Sequence, residues 1–306
     1  MGTPAFACPI LSALLGRSDP VVGVVCQPDR PRGRGLGVTA PEVKLLALRH
    51  GVPVLQPERL RDPGFQAELR ALAPDVIVVA AYGKILPRSV LDVPPRGCLN
   101  VHASLLPRHR GAAPIAWAIL AGDAVTGVTI MAMNEEMDAG DVFLQRETPI
   151  AADDTAGSLG DRLARMGAEV IGEAIDGIRA GVLRAVPQPA TGITFAPRIE
   201  REHCVLDWTR AAVALERQVR ALAPEPSAFT TLRGRRLKVH RAAVGGATAG
   251  AAPGVVVGSG PEGIRVATGD GVLTLREVQL EGRRRLAASD FLAGHPVARG
   301  TCLGSA

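Results

Sequence analysis

Short apolar runs at residues 21–26, 75–80, 97–102 and 126–133 alternate with segments of helical period, and no other feature constrains the fold as much. In Asp75-Val76-Ile77-Val78-Val79-Ala80 successive residues are apolar, so both faces of such a strand must be covered. The segments 6–15, 41–48, 63–72 and 115–121 read as helices, two of them opening on Pro41 and Pro63. Residues 54–55 mark one more short strand. A long helix is predicted over 155–180, with Leu159, Leu163, Met166, Val170 and Ile171 on its apolar face. Strands separated by helices make βαβ units. The expected class is α/β: a doubly wound, mostly parallel, Rossmann-like sheet that binds ligands beyond the carboxyl ends of its strands.

The pattern changes after residue 180. Residues 181–196 lack a period and carry Pro187, Pro189 and Gly192. Beyond a helix at 211–220, strand-like runs at 228–232, 237–242, 254–257, 264–267 and 272–278 are separated by turn residues. That spacing predicts a small OB-like β-barrel. The expected organisation is a catalytic domain at 1–183, a linker at 184–203 and a C-terminal domain at 204–306. No run approaches 18 apolar residues and no secretory pattern opens the chain, which argues against membrane and export. Cys8, Cys26, Cys98, Cys204 and Cys302 are scattered without metal-ligand spacing. Reduced thiols in a cytoplasmic protein without a metal are expected.

Positive charge gathers late. Residues 196–306 hold 16 Lys and Arg against 10 Asp and Glu, whereas the preceding residues sum to one net negative charge. Arg233, Arg235, Arg236, Lys238 and Arg241 form one cluster, and Arg283, Arg284 and Arg285 another. A polyanion partner follows, with Arg235, Arg236 and Lys238 as candidate phosphate contacts. The loop at 28–41 contains Gly33-Arg34-Gly35 but neither a GxGxxG nor a Walker pattern, so dinucleotide oxidoreduction is disfavoured.

The chemistry is concentrated in Asn100-Val101-His102-Ala103-Ser104-Leu105-Leu106-Pro107 and Met137-Asp138-Ala139-Gly140-Asp141. Two residues apart on a strand, Asn100 and His102 project from one face. A carboxamide can donate to an oxyanion, an imidazole can handle a proton, and the Asp138 carboxylate can orient the imidazole. These roles suit addition to a carbonyl. Ser104 lacks a GxSxG context and is read as a backbone element, not a nucleophile.

These segments resemble the formyltransferases that use 10-formyltetrahydrofolate, most closely those acting on methionyl-tRNA. Gly2-Thr3-Pro4, Gln27-Pro28-Asp29-Arg30-Pro31, Ala81-Tyr82-Gly83-Lys84-Ile85-Leu86-Pro87, Arg110-Gly111-Ala112-Ala113-Pro114-Ile115 and Gly127-Val128-Thr129-Ile130-Met131 match in order. Phe195-Ala196-Pro197-Arg198-Ile199, Leu206-Asp207-Trp208 and Ala267-Thr268-Gly269-Asp270-Gly271 extend the likeness over nearly the whole chain. The resemblance implies Asn100, His102 and Asp138 as a catalytic trio. It implies a tetrahydrofolate cradle from Ser104, Leu105, Leu106 and Pro107, with Ile85, Leu86 and Pro87 beside it. It places Arg34 at the tRNA acceptor end, methionyl-initiator-tRNA as partner and 10-formyltetrahydrofolate as co-substrate of a monomeric enzyme. Rival readings are a related formyltransferase or hydrolase acting on a small amine or on water, and an RNA-binding module on an inactive scaffold. The basic C-terminal third argues against the first, and the intact trio against the second.

The chain departs from the family twice. There, Gly-Thr-Pro follows a first, central β-strand, whereas Met1 directly precedes Gly2 here. A gap beside residues 21–26, or an abnormally closed sheet, is therefore expected, with low stability. The family also commonly places an aromatic between prolines where this chain has Pro224-Glu225-Pro226.

Overall fold

The apolar runs become strands and the periodic segments helices. The computed structural model describes residues 1–32, 37–247 and 250–304. Two units emerge: Met1–Pro114, Val125–Pro149 and Gly160–Pro197 form one, and Ile115–Ala124, Ile150–Leu159 and the chain from Arg198 onward form the other.

The chain runs α1 (Ala7–Leu15), β1 (Val24–Val25), β2 (Arg30–Arg32), β3 (Gly37–Thr39), α2 (Glu42–Arg49), β4 (Val54–Leu55) and α3 (Pro63–Ala71). It continues through β5 (Ile77–Val79), α4 (Arg88–Leu91), β6 (Cys98–His102), α5 (Pro114–Ala121), β7 (Val125–Ala132), β8 (Val142–Pro149) and α6 (Ala156–Arg179). Local chemistry sets the boundaries. The Asp62 carboxylate accepts from the Phe65 N–H at 2.9 Å and Pro63 follows it, so α3 begins there. Phe65 and Leu69, one turn apart, bury the inner face of α3.

Strand β1 pairs with β4 in parallel, and β2 with β3 antiparallel. The main sheet of the first unit has the order β5-β6-β7-β8. Only β5 and β6 are parallel in it; β6 with β7 and β7 with β8 are antiparallel. The sheet is thus mixed, with less parallel pairing than expected. The physical reason at its edge is the short β7–β8 connection, which contains no helix and so permits only antiparallel pairing. Under β5 and β6, Val25, Phe65, Leu69, Ile77, Val79, Tyr82 and Leu86 form one apolar cluster.

Between β1 and β5 the sheet is interrupted. Met1 and Gly2 span the interruption at one end: the Met1 amine donates to Val78 O at 2.5 Å, Ala80 N–H to Met1 O at 2.9 Å, and Gly2 N–H to Val25 O at 3.0 Å. Alongside lies a cavity of about 440 Å³, lined by Val21, Gly23, Val24, Leu72, Val76 and Val78 among others.

In the second unit, α7 (Ala212–Ala221) precedes β9 (Ala228–Leu232), β10 (Arg235–Gly245), β11 (Val256–Gly260), β12 (Gly263–Ala267), β13 (Val272–Leu280), β14 (Leu286–Ala287) and α8 (Ala288–Gly294). The order is β11-β12-β13-β10-β9, antiparallel throughout, with β14 on β13. Inward residues Leu237, Val239, Leu275 and Val278 pack with Trp208, Leu215, Val219 and Phe291. The Trp208 indole donates to Thr230 Oγ1 at 3.1 Å. Among the described residues no ladder joins β9 to β11, so the path stays open and does not close as a barrel. Irregular chain covers both ends instead: Leu206 N–H donates to Phe229 O, and Val256 N–H to Thr301 O. No described helix is long and apolar enough to cross a membrane.

Candidate active site

Strand β6 carries the first two candidate residues, and all five of its residues are buried. Asn100 lies opposite Met131 and His102 opposite Thr129 on β7. Their side chains share one face, as their spacing requires.

Asp138 arrives from the β7–β8 connection in a left-handed backbone conformation, φ 51°. Such a conformation costs a non-glycine residue about 1–3 kcal/mol and persists only where the surroundings enforce it. Here they do. Gly111 N–H donates to Asp138 Oδ2 at 2.9 Å and Asn100 Nδ2 to Oδ1 at 3.2 Å. Gln188 Nε2 donates to the carbonyls of Asp138 and Gly140 at 2.9 and 2.8 Å. Arg110 in turn donates to Gln188 Oε1 at 3.1 and 2.7 Å. A Cβ at Gly140 would sit 1.9 Å from Ala132 O, so the turn beside Asp138 admits only glycine.

His102 Nε2 is 3.0 Å from the His109 carbonyl. A carbonyl only accepts, so Nε2 carries a hydrogen, and in the neutral ring the lone pair is then at Nδ1. Nδ1 is 3.7 Å from Asp138 Oδ2. The nitrogen that is free to take up a proton in the neutral ring is therefore the one that faces a carboxylate. Asn100, His102 and Asp138 meet in one place, bringing together an imidazole nitrogen, a carboxylate beside it and an amide donor.

The next loop is locked from beneath. Thr129 Oγ1 donates to Ser104 O at 2.6 Å and accepts from Leu106 N–H at 3.1 Å. Gln145 Nε2 donates to Leu106 O at 2.8 Å and to Thr129 Oγ1 at 2.9 Å. The Ser104 hydroxyl is spent on Arg108 O at 2.6 Å, which suits a geometric role. Leu106 is buried, while Leu105 and Pro107 are half-buried. In the other apolar segment Leu86 belongs to the core cluster, Pro87 precedes α4 and Ile85 is 74 % exposed. Buried Leu86 and Leu106 leave Ile85, Leu105, Pro87 and Pro107 as the apolar groups open to a ligand.

Arg34 lies outside the described residues. On β10 alternation separates the other three cations: Arg236 and Lys238 share the face opposite buried Leu237 and Val239, and Arg235 does not join them. The Arg236 guanidinium lies 4.9 Å from the Phe229 ring centroid. Lys238 Nζ donates to Pro226 O at 3.3 Å, and Arg235 to Glu281 O at 2.9 Å. Among the described residues no cluster of three His, Cys, Asp or Glu could hold a metal ion.

Sequence reasoning missed Gln188, Thr129 and Gln145. Gln188 sits between Pro187 and Pro189 in a stretch without period, where nothing marks it. Thr129 was legible at one remove, since a buried hydroxyl directly across from His102 must find partners.

A family model described as formyl transferase matches residues 1–175, and one described as formyl transferase, C-terminal domain, matches residues 198–296. The methionyl-tRNA formyltransferase of Myxococcus xanthus (strain DK1622) is 54% identical over 301 residues, covering 98% of this chain and 96% of the relative. That of Geobacter sulfurreducens is 48% identical over 306 residues, covering 100% and 96%. Among solved structures, the sugar 3N-formyl transferase WlaRD, in the presence of dTDP and 5-N-formyl-THF, superposes with a TM-score of 0.65 at 16% identity, covering 92% of this chain and 97% of that one. HypX from Aquifex aeolicus in complex with tetrahydrofolic acid gives 0.61 at 23% identity, covering 81% of this chain and 43% of that one. At those identities the likeness concerns the fold. With the family models spanning both units and near-full-length relatives at about half identity, the chain belongs to the formyl transferase family, in the company of the methionyl-tRNA formyltransferases.

Proposed function

We propose that this chain transfers the formyl group of 10-formyltetrahydrofolate to the α-amino group of methionyl-initiator-tRNA, giving N-formylmethionyl-tRNA and tetrahydrofolate. The observation that carries the reading is the position of Asp138, whose two carboxylate oxygens reach Asn100 Nδ2 at 3.2 Å and His102 Nδ1 at 3.7 Å. The amine adds to the formyl carbon, negative charge gathers on the carbonyl oxygen, and the amine gives up a proton. Asn100 Nδ2 has a second hydrogen beyond the one facing Asp138, and donates it to that oxygen; such a donor is worth about 3 kcal/mol. His102 takes the proton at Nδ1, directly or through water, and Asp138 faces the charge that develops there. Collapse breaks the bond to the folate nitrogen, which leaves with a proton.

Residues 104–107 and 85–87 hold the folate, through the open groups Ile85, Pro87, Leu105 and Pro107 and through backbone. Arg34 meets the acceptor end, and Arg236, Lys238 and Arg235 lie along the tRNA. The basic face of β10 favours a nucleic-acid amine donor over a small amine. Residues 1–183 are the catalytic domain, 184–203 the linker and 204–306 the tRNA-holding domain of a cytoplasmic monomer.

Single-turnover formylation of methionyl-tRNA tests the reading. His102→Ala and Asp138→Ala should each slow the step by at least about 10², with tRNA affinity little changed. A wild-type single-turnover rate in either variant would remove that residue from the mechanism.

A further inference from the structure

Of the 35 Lys and Arg in the chain only Lys44, Lys84 and Lys238 are lysine. Two of the three fasten loops at the carboxyl ends of β1, β4 and β5.

Lys44, on α2, places Nζ 2.7 Å from Asp29 Oδ2 and 2.7 Å from Gln56 Oε1. Gln56 Nε2 closes the ring by donating to Asp29 Oδ1 at 2.7 Å, and also reaches Gln27 O at 3.0 Å. Three side chains thus satisfy one another. These bonds hold the Asp29 carboxyl below its ordinary range, Gln56 contributing first and Lys44 next. Asp29 immediately precedes β2, and α2 begins just after β3. The ring therefore ties the two feet of the β2–β3 hairpin to each other and to the loop after β4.

Lys84 does the corresponding work one loop further on. Its Nζ donates to Pro57 O at 3.0 Å and Glu58 O at 2.8 Å, directly beside exposed Ile85. In both places one compact ammonium converges on two acceptors. A planar guanidinium spreads its donors along a fork and cannot reproduce that convergence.

We propose that Lys44 and Lys84 are positioning residues with separable duties: Lys44 sets the hairpin root for the tRNA, and Lys84 sets the Ile85 loop for the folate. The inference rests on the function proposed above. It goes further by assigning one substrate to each lysine.

The test is a crossed kinetic measurement on the full chain. Lys44→Met should raise the KM for methionyl-tRNA at least about fivefold and leave the KM for 10-formyltetrahydrofolate within about twofold. Lys84→Met should do the reverse. Variants in which both constants move together, or neither moves, would overturn the proposal. If a methionine variant fails to fold, Lys44→Arg and Lys84→Arg replace it. They keep the charge and lose the convergence, so the same crossed pattern is expected, and wild-type constants would overturn the idea. If the wild-type chain does not formylate methionyl-tRNA, the functional reading fails by itself. The positioning claim is then decided by folate affinity in Lys84→Met, expected weaker, and by tryptic cleavage after Arg32 in Lys44→Met, expected faster. No change in either would refute it.

Discussion

Gln188 donates through one amide nitrogen to the carbonyls on both sides of Ala139, Asp138 O at 2.9 Å and Gly140 O at 2.8 Å. Asp138 thereby keeps its left-handed conformation from behind, while Asn100 and Gly111 hold its carboxylate in front. Gln188→Leu removes both donors and should lower the single-turnover rate about tenfold with little change in substrate affinity. Gln188→Glu should be at least as damaging, because a carboxylate offers those carbonyls nothing although it still suits Arg110. A Gln188→Glu enzyme with the wild-type rate would show that the Arg110 contact alone matters.

Binding of tRNA should depend on the shared face of β10. Arg236→Ala and Lys238→Ala should each weaken binding and lower the slope of log affinity against log salt by up to about 1. Arg235→Ala, on the other side of the strand, should change the slope less. Titrations at several salt concentrations measure this. A larger slope change for Arg235→Ala than for Arg236→Ala would contradict the geometry.

His240 couples the second unit to pH. It is buried on β10, with Nε2 3.1 Å from Gln279 Oε1 and Nδ1 3.5 Å from Ser227 Oγ. Burial lowers its pKa; Gln279 and Glu277 oppose the shift, and Arg285 and Lys238 add to it. Because the folded value lies below the unfolded one, the unfolded chain binds the proton first as pH falls. Stability is full above the ordinary histidine range and declines as pH drops through about 6.5 toward the folded value. His240→Gln should therefore lose less Tm than the wild type between pH 7.5 and 5.5. Parallel losses in the two proteins would place the dependence elsewhere.

Tyr82, the sole tyrosine, is in the core with its hydroxyl buried and unpartnered among the described residues. Burial raises its pKa to about 12. A desolvated hydroxyl without a partner costs about 1–3 kcal/mol, so Tyr82→Phe should stabilise the chain by about 1 kcal/mol. A higher urea midpoint at unchanged slope is the expected result, and a lower midpoint would mean that the hydroxyl finds a partner in solution.

How far the chain could be read follows from what kind of group does the work. Asn100, His102 and Asp138 announce themselves by side-chain chemistry, and the strand under the first two by its apolar run. The Gly111 N–H and His109 carbonyl that complete the site are backbone, and any residue would present the same groups. β8 escaped notice because it is half-exposed and carries Gln145, Arg146 and Glu147, which an edge strand tolerates. The β2–β3 hairpin, built partly of Arg30 and Pro31, has no apolar period at all. The open path of the second unit could not be told from a closed barrel, since both show the same short strands between turns.

The crowding at Gly140 bears on how this site can vary. A Cβ there would lie 1.9 Å from Ala132 O, so any side chain at 140 must displace either the end of β7 or the turn that carries Asp138. A single methyl group added at that position would thus reach the chemistry without touching a reacting group, because the tolerance of the site is set by backbone.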